Sequence, residues 1–239
     1  MREAFLICQA CDKKVWWAFL SEKIKWIGVL LFLIALIYGG HRLSTVVASN
    51  ILQNEKIVVI DAGHGGDDPG KIGINDVLEK EINLQIAKEI KKYLEEAGVT
   101  VIMTRENDNS LSSSKTEDLQ RRVEIIDKSK AEIAVSIHQN SFSSETEQGA
   151  QVFYYSESEE GIKIAQILQN YLKILDPENR REIKENSSYY LLKRTKTPTV
   201  IVECGFLSNW EEAEKLKETK YQEEMAQAIS EGILAYMNQ

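Results

Sequence analysis

Two apolar patterns alternate along the chain from residue 56 onward. The first is the short, nearly continuous run: IVVI after Lys56, VTVIMT over 99–104, AEIAVSIH over 131–138, a run over 149–155, and TVIVEC over 199–204. Runs of this length, rich in Val and Ile, predict buried strands, the first over 56–61. The second pattern is helical. Between 79 and 96, Ile82, Ile86, Ile90 and Leu94 recur every four residues, with Ala87 and Tyr93 alongside, and Gly98 supplies a stop. Further helices are predicted over 118–130, over 158–175 before Pro177, and over 210–218 and 221–237. YYLLK at 189–193 reads as a short strand. Residues 178–188 read as charged and irregular, 62–76 as a glycine- and aspartate-rich loop, 107–117 as a mobile polar loop, and 139–148 as a second polar loop. Strands alternating with helices predict an α/β fold: a three-layer sandwich with a mostly parallel central sheet flanked by helices.

The N-terminal part follows neither pattern. Residues 26–38, WIGVLLFLIALIY, are apolar without a break. Extending the run to 24–43 reaches the roughly 20 residues of a membrane span, at the expense of including Lys25, His41 and Arg42. Lys13, Lys14, Lys23 and Lys25 precede it, which keeps the N-terminus in the cytosol and sends the downstream chain across the membrane. A signal anchor, a signal peptide cleaved after Val46-Val47-Ala48, and a buried helix are the readings open here. The domain plan is a cytosolic tail over 1–23, the apolar segment over 24–43, a linker over 44–55 and one folded domain over 56–239.

Charge sharpens this division. The chain carries a net charge of −8, but residues 1–50 hold six Lys/Arg against three Asp/Glu, so the remaining 189 residues carry −11. An acidic domain of this kind argues against a nucleic-acid backbone as partner. The three cysteines give no disulfide framework. Cys8 and Cys11 lie ahead of the apolar run, and Cys204 ends a strand where a small buried residue is expected.

Four polar residues interrupt this apolar scaffold. His64 follows the first strand in IVVIDAGHGG, Glu79 opens the first helix, His138 closes the third strand, and Glu203 breaks TVIVECG. In a largely parallel sheet, reactive groups gather at the carboxyl ends of strands, so these four are expected to share a crevice. Two histidines, a carboxylate and water form a familiar zinc set, with the second carboxylate free to move protons. Residue types alone leave open which of Glu79 and Glu203 does which. Ordinary roles compete: a strand-end histidine usually makes a surface hydrogen bond, and a helix-start glutamate often serves the helix dipole. A carboxylate inside an apolar strand, as at Glu203, is costly unless paired or functional. HExxH and phosphate-loop motifs are missing from the sequence, and GFLSN is no nucleophile elbow.

With these residues in hand, the chain from Lys56 to Met237 resembles the zinc-dependent N-acetylmuramoyl-L-alanine amidases of the bacterial type 3 class. IVVIDAGHGG resembles the opening strand with its zinc histidine, LEKEINLQIA the helix with its ligand glutamate, SIHQNS the second histidine segment, and PTVIVECGFLSN the closing motif. The resemblance implies one Zn²⁺ held by His64, Glu79 and His138, with Glu203 as catalytic base. It implies hydrolysis of the amide joining the lactyl group of muramic acid to L-alanine. Thr104-Arg105, Arg122 and Asn140 also resemble family positions, and are expected in substrate contact or in support of the ligands. An internal salt bridge is the ordinary reading of the arginines. Asp127 stands where the family usually has asparagine. The loop after His138 is short, without a long inhibitory helix, and no wall-binding repeats are evident.

Within the family the plan is most similar to members that act in spore germination. The resemblance then implies an exported protein, tethered or secreted, working on cortex peptidoglycan ahead of a muramic acid deacetylase, in some cases with a lipoprotein partner. General wall turnover, a zinc peptidase acting within stem peptides, and a non-enzymatic wall-binding module are the alternatives.

Overall fold

The computed structural model describes residue 25, residues 30–38 and residues 56–239. Most of the expected tail, apolar segment and linker lies outside these residues. Residues 30–38 are helical and exposed, and among the described residues no helix is long and apolar enough to cross a membrane. Lys56–Gln239 forms a compact unit of its own.

That unit is built in the order β1 (Ile57–Ala62), α1 (Glu79–Glu96), β2 (Thr100–Met103), α2 (Lys115–Lys128), β3 (Ile133–Asn140), β4 (Gln151–Tyr154), α3 (Glu159–Leu175), β5 (Lys184–Glu185), α4 (Tyr190–Arg194), β6 (Thr199–Phe206), α5 (Trp210–Leu216) and α6 (Thr219–Met237). The six strands form one sheet in the order β2-β1-β3-β6-β4-β5. Only the β4–β6 pairing is antiparallel; the other four are parallel. The expected mostly parallel sheet with helices on both sides is therefore the architecture observed.

Because strand side chains alternate between faces, odd and even positions separate the two layers. Val58 and Ile60, Val135 and Ile137, and Val200 and Val202 join one large core with Ile82, Ile86, Ile90 and Leu94 of α1, Leu168 and Leu172 of α3, and Ile229 and Ile233 of α6. The opposite face is thinly covered. Val59 and Ala134 meet Ile126 of α2 and Leu191 of α4, while Phe153 and Ile201 meet Leu192. By the same alternation, Asp61, Ser136, His138 and Glu203 belong to this thin face.

Several boundaries depart from the sequence expectation. YYLLK is not a strand, because residues 190–194 form the short helix α4. Its adjacent Leu191 and Leu192 both pack onto the same face of the sheet, which a helical turn permits and a strand forbids. The two-residue edge strand β5 pairs with Phe153 and Tyr154 from within the segment expected to be irregular. Its lysine and glutamate carry no apolar signal, as suits an exposed edge. β3 and β6 run on to Asn140 and Phe206, so His138 and Glu203 lie inside strands and not at their last residues. α2 starts three residues early, at Lys115.

The loop expected to be mobile over 107–117 is tied down instead. Asp108 accepts from Gly66 N–H and pairs with Lys80 at 2.7 Å, and Leu111 N–H donates to Asp118 at 2.7 Å. Asp127 accepts from the backbone N–H groups of Lys196 at 2.8 Å and Thr197 at 3.3 Å, a task in which a carboxylate serves as well as an amide oxygen.

Candidate active site and metal centre

The chain leaves β1 through Gly63 and enters a left-handed turn at His64 (φ 62°), a conformation rarely adopted by a residue with a side chain. Arg122 of α2 holds that turn in place. Its guanidinium, 2% exposed, donates to the carbonyl oxygens of Ala62 and His64 at 2.7 Å each, and pairs with Asp61 at 2.7 Å and Asp118 at 2.6 Å. Asp61 also accepts from Thr104 at 2.6 Å and Ser136 at 2.5 Å. Burial pushes the Asp61 carboxyl up, but the Arg122 charge and the two hydroxyl donors prevail and bring it down to about 2. Arg105 supports the neighbouring backbone, donating to the carbonyl oxygens of Ala62 at 2.8 Å and of Gly63 at 2.9 Å. Both arginines direct their donors into the protein.

The glycines around His64 are demanded by what they touch. A methyl on Gly63 would run into the His138 ring, and one on Gly70, itself at φ +67°, would lie 2.6 Å from Glu79 Oε2. His138 and His64 thus meet over backbone with no side chain of its own. Their rings lie edge to face with centroids 5.0 Å apart.

Glu79 completes the cluster. As the first residue of α1 it reaches back across the sheet end, and its Oε1 lies 2.9 Å from His138 Nδ1 and 3.2 Å from His64 Nε2. One ligand atom from each of the three residues falls within 4.8 Å of the others. In a tetrahedral zinc site with bonds of about 2.0–2.1 Å, ligand atoms lie roughly 3.3–3.4 Å apart, so the nitrogen and oxygen donors fit a single zinc ion. Burial raises the Glu79 carboxyl, yet the hydrogen bonds from His138 and His64 outweigh it and hold the group well below the usual carboxylate range. The His138 imidazole is lowered by burial but raised on balance by Glu79.

Supporting residues escaped the sequence reading. Asp68 accepts from or faces His64 Nδ1 at 2.9 Å, fixing which ring nitrogen turns toward Glu79. Asn83, one helical turn after Glu79 and fully buried, donates to Glu79 Oε1 at 3.3 Å and to the Gly63 carbonyl at 3.2 Å. Gln139 N–H donates to Glu79 Oε1 at 3.1 Å, and its side chain donates to Asn83 at 3.1 Å. Asn83 had a legible signal: a polar residue on the same helix face as Glu79. Asn140 lines the cleft, but its side-chain oxygen accepts from Ser141 N–H at 2.8 Å and makes no hydrogen bond to His138.

Glu203 stands opposite His138 in the β3–β6 register. It is buried, and its Oε2 has no hydrogen-bond partner. Burial pushes its carboxyl up to about 7, against the pull of the His138 imidazole. A carboxyl with one buried, unpartnered oxygen, raised toward neutrality by burial, is suited to taking up and releasing protons. Cys204, the next residue, is fully buried on the other face, and burial raises its thiol far above its ordinary value, which leaves it unfit as a nucleophile. His64, Glu79, His138 and Glu203 open into a cleft of about 460 Å³ whose walls include α2 and the Tyr189–Leu191 turn.

Comparison with known proteins shows the family. The family model for N-acetylmuramoyl-L-alanine amidase matches residues 58–235. The germination-specific N-acetylmuramoyl-L-alanine amidase of Bacillus subtilis (strain 168) is 37% identical over 232 residues, covering 92% of this chain and 98% of that protein. The CwlD amidase from Clostridioides difficile, solved in complex with the GerS lipoprotein, is 39% identical with a TM-score of 0.74, over 77% of this chain and 99% of that one. The catalytic domain of CwlV, an N-acetylmuramoyl-L-alanine amidase from Bacillus (Paenibacillus) polymyxa var. colistinus, is 32% identical with a TM-score of 0.70, over 77% and 98% of the two chains. The fold, the match across nearly the whole domain and these relatives together establish that the chain belongs to the N-acetylmuramoyl-L-alanine amidase family.

Proposed function

We propose that the domain hydrolyses the amide between the lactyl group of N-acetylmuramic acid and L-alanine in peptidoglycan, with His64, Glu79 and His138 holding one Zn²⁺ and Glu203 as the proton-transferring base and acid. When bound, zinc would lower the pKa of a water molecule and polarise the scissile carbonyl. The chain's own residues do the rest. Asp68 orients the His64 ring, and Asn83 and Gln139 hold Glu79. Glu203 accepts a proton from the attacking water and delivers it to the departing L-alanine nitrogen. The observation that carries this reading is the raised carboxyl of Glu203, its Oε2 unpartnered, directly across the strand pair from His138. Arg105 and Arg122 act as supports of the His64 turn, because their donors are committed to internal acceptors. Asn140 borders the substrate.

The biological substrate is spore cortex peptidoglycan, stripped of stem peptides ahead of a muramic acid deacetylase. Similarity to the germination-specific amidase supports this role, and the lipoprotein complex of CwlD supports a lipoprotein partner. Action is extracytoplasmic, with the apolar segment over 24–43 as signal anchor or signal peptide and the space between the forespore membranes as the site of work.

Incubation of the chain with cortex-type and with vegetative peptidoglycan, with and without added zinc, and mass analysis of the products tests the reading. Free L-alanine amino ends and peptide-free muramic acid are expected, with more release from cortex. New amino ends only within the stem peptide would replace the amidase by a peptidase.

A further inference from the structure

The domain is acidic, yet two lysines stand among the cleft residues. Lys71 lies in the loop between β1 and α1, and Lys115 opens α2. Both are exposed. Arg122, the other cation of the cleft, is consumed by Asp61 and Asp118. Lys71 pairs with no carboxylate among the described residues. Its backbone is nevertheless fixed with unusual care: its N–H donates to Glu79 Oε2 at 2.7 Å and its carbonyl accepts from Glu79 N–H at 3.0 Å. The chain therefore carries a free ammonium on a main-chain anchor shared with a metal-cluster residue. Lys115 is looser, 3.6 Å from Asp68 and 74% exposed along its side chain. The same cleft is lined as well by groups of different chemistry, Tyr189, Leu191 and Ile201.

A substrate cut at the lactyl–alanine amide is just as lopsided. On one side of the scissile bond is a sugar, neutral in its hydroxyls and acetamido group. On the other is a peptide bearing free carboxylates. We propose that Lys71, seconded by Lys115, is the subsite for a stem-peptide carboxylate and thereby sets the direction in which the substrate lies across the reacting groups. This rests on the amidase reading above. An exposed cation meeting an exposed carboxylate contributes a modest effect, a factor of about five in binding at most, which favours orientation and selectivity over tight retention of the product peptide.

The test is a cycle on the full-length, zinc-loaded chain. An N-acetylmuramoyl tetrapeptide with free carboxylates is compared with the same compound amidated, for the wild type and for Lys71→Gln. The expected result is a KM raised about fivefold by either change, no further rise when both are made, and kcat held throughout. Lys71→Arg restores the KM, and added salt erodes the difference between the substrates. An equal KM for wild type and Lys71→Gln, or the same loss on the amidated compound, overturns the subsite while leaving the amidase reading intact. A second arm needs no turnover: calorimetric binding of the free tetrapeptide to wild type and to Lys71→Gln. Binding weakened about fivefold by the substitution supports the subsite even if the chain cuts a different bond. Indistinguishable binding, or none to either protein, overturns it.

Discussion

The two faces of the central sheet are made from the same strands and do opposite work. The face under α1, α3 and α6 is largely apolar, with Ile60, Ile137 and Val202 fully buried in one continuous core. The face under α2 and α4 is thin, and along it Asp61, Ser136, His138 and Glu203 replace what would otherwise be apolar side chains. Within that second face there is a further division. Around Asp61 each side-chain oxygen has a partner, Arg122 and Thr104 at one and Ser136 at the other. At Glu203, Oε2 has none. A satisfied buried carboxylate holds structure together and an unsatisfied one is poised to react. On the proposed reading, the sheet supplies rigidity from one side, a pinned His64 turn from the other, and reactivity beside it.

Four perturbations separate these roles. Glu203→Gln is expected to lower turnover by about 100- to 10,000-fold, the usual worth of a positioned acid–base group, while zinc content and the urea midpoint are maintained. Loss of zinc or a fallen midpoint would move Glu203 from the reactive class to the structural one. Arg122→Met is expected to destabilise the domain by about 3–5 kcal/mol, because it leaves two carboxylates buried without their counter-charge, and to weaken zinc binding through release of the His64 carbonyl. Denaturation and zinc titration on the same preparation check both. Ile86→Ala in the apolar face is expected to cost about 2–5 kcal/mol of stability by opening a cavity, with kcat of the folded protein unchanged. A matching loss of kcat would show that the two faces are not separable.

The smallest effect is in acid. The folded-state pKa of Asp61, about 2, lies below the ordinary value of 3.8, so its contribution is complete above about pH 4 and is lost as the pH falls toward 2. It amounts to about 2 kcal/mol. Stability measured by urea unfolding over that window should fall less steeply for Asp61→Asn than for wild type; parallel curves would deny the depressed pKa.

Much of this was legible in the sequence alone. Apolar runs and four-residue periodicity located five of the six strands and every long helix, since each buries a continuous stripe of side chains. Lys184–Glu185 carried no such stripe, because its pairing is purely backbone. YYLLK misled because two adjacent leucines fit a short buried strand as well as a helical turn, and only the neighbouring sheet decides.

At the site, His64, Glu79, His138 and Glu203 were visible as polar breaks in apolar surroundings, and the structure brings them to one cleft. Asp61 interrupts its strand in the same way as Glu203, so the reasoning that singled out one applies equally to the other. Asp68 gave no comparable sign. In a loop already rich in aspartate and glycine, its value lies in facing His64 Nδ1, which depends on how the loop folds.

The central claim, that His64, Glu79 and His138 share one divalent ion, is tested most directly by equilibrium zinc titration of the metal-stripped chain and of His64→Ala, Glu79→Ala and His138→Ala. The account predicts one tightly held zinc per wild-type chain and its loss or severe weakening in all three variants, with folding confirmed by circular dichroism. Undiminished zinc binding in any folded variant, or no zinc bound by the wild type, would contradict it.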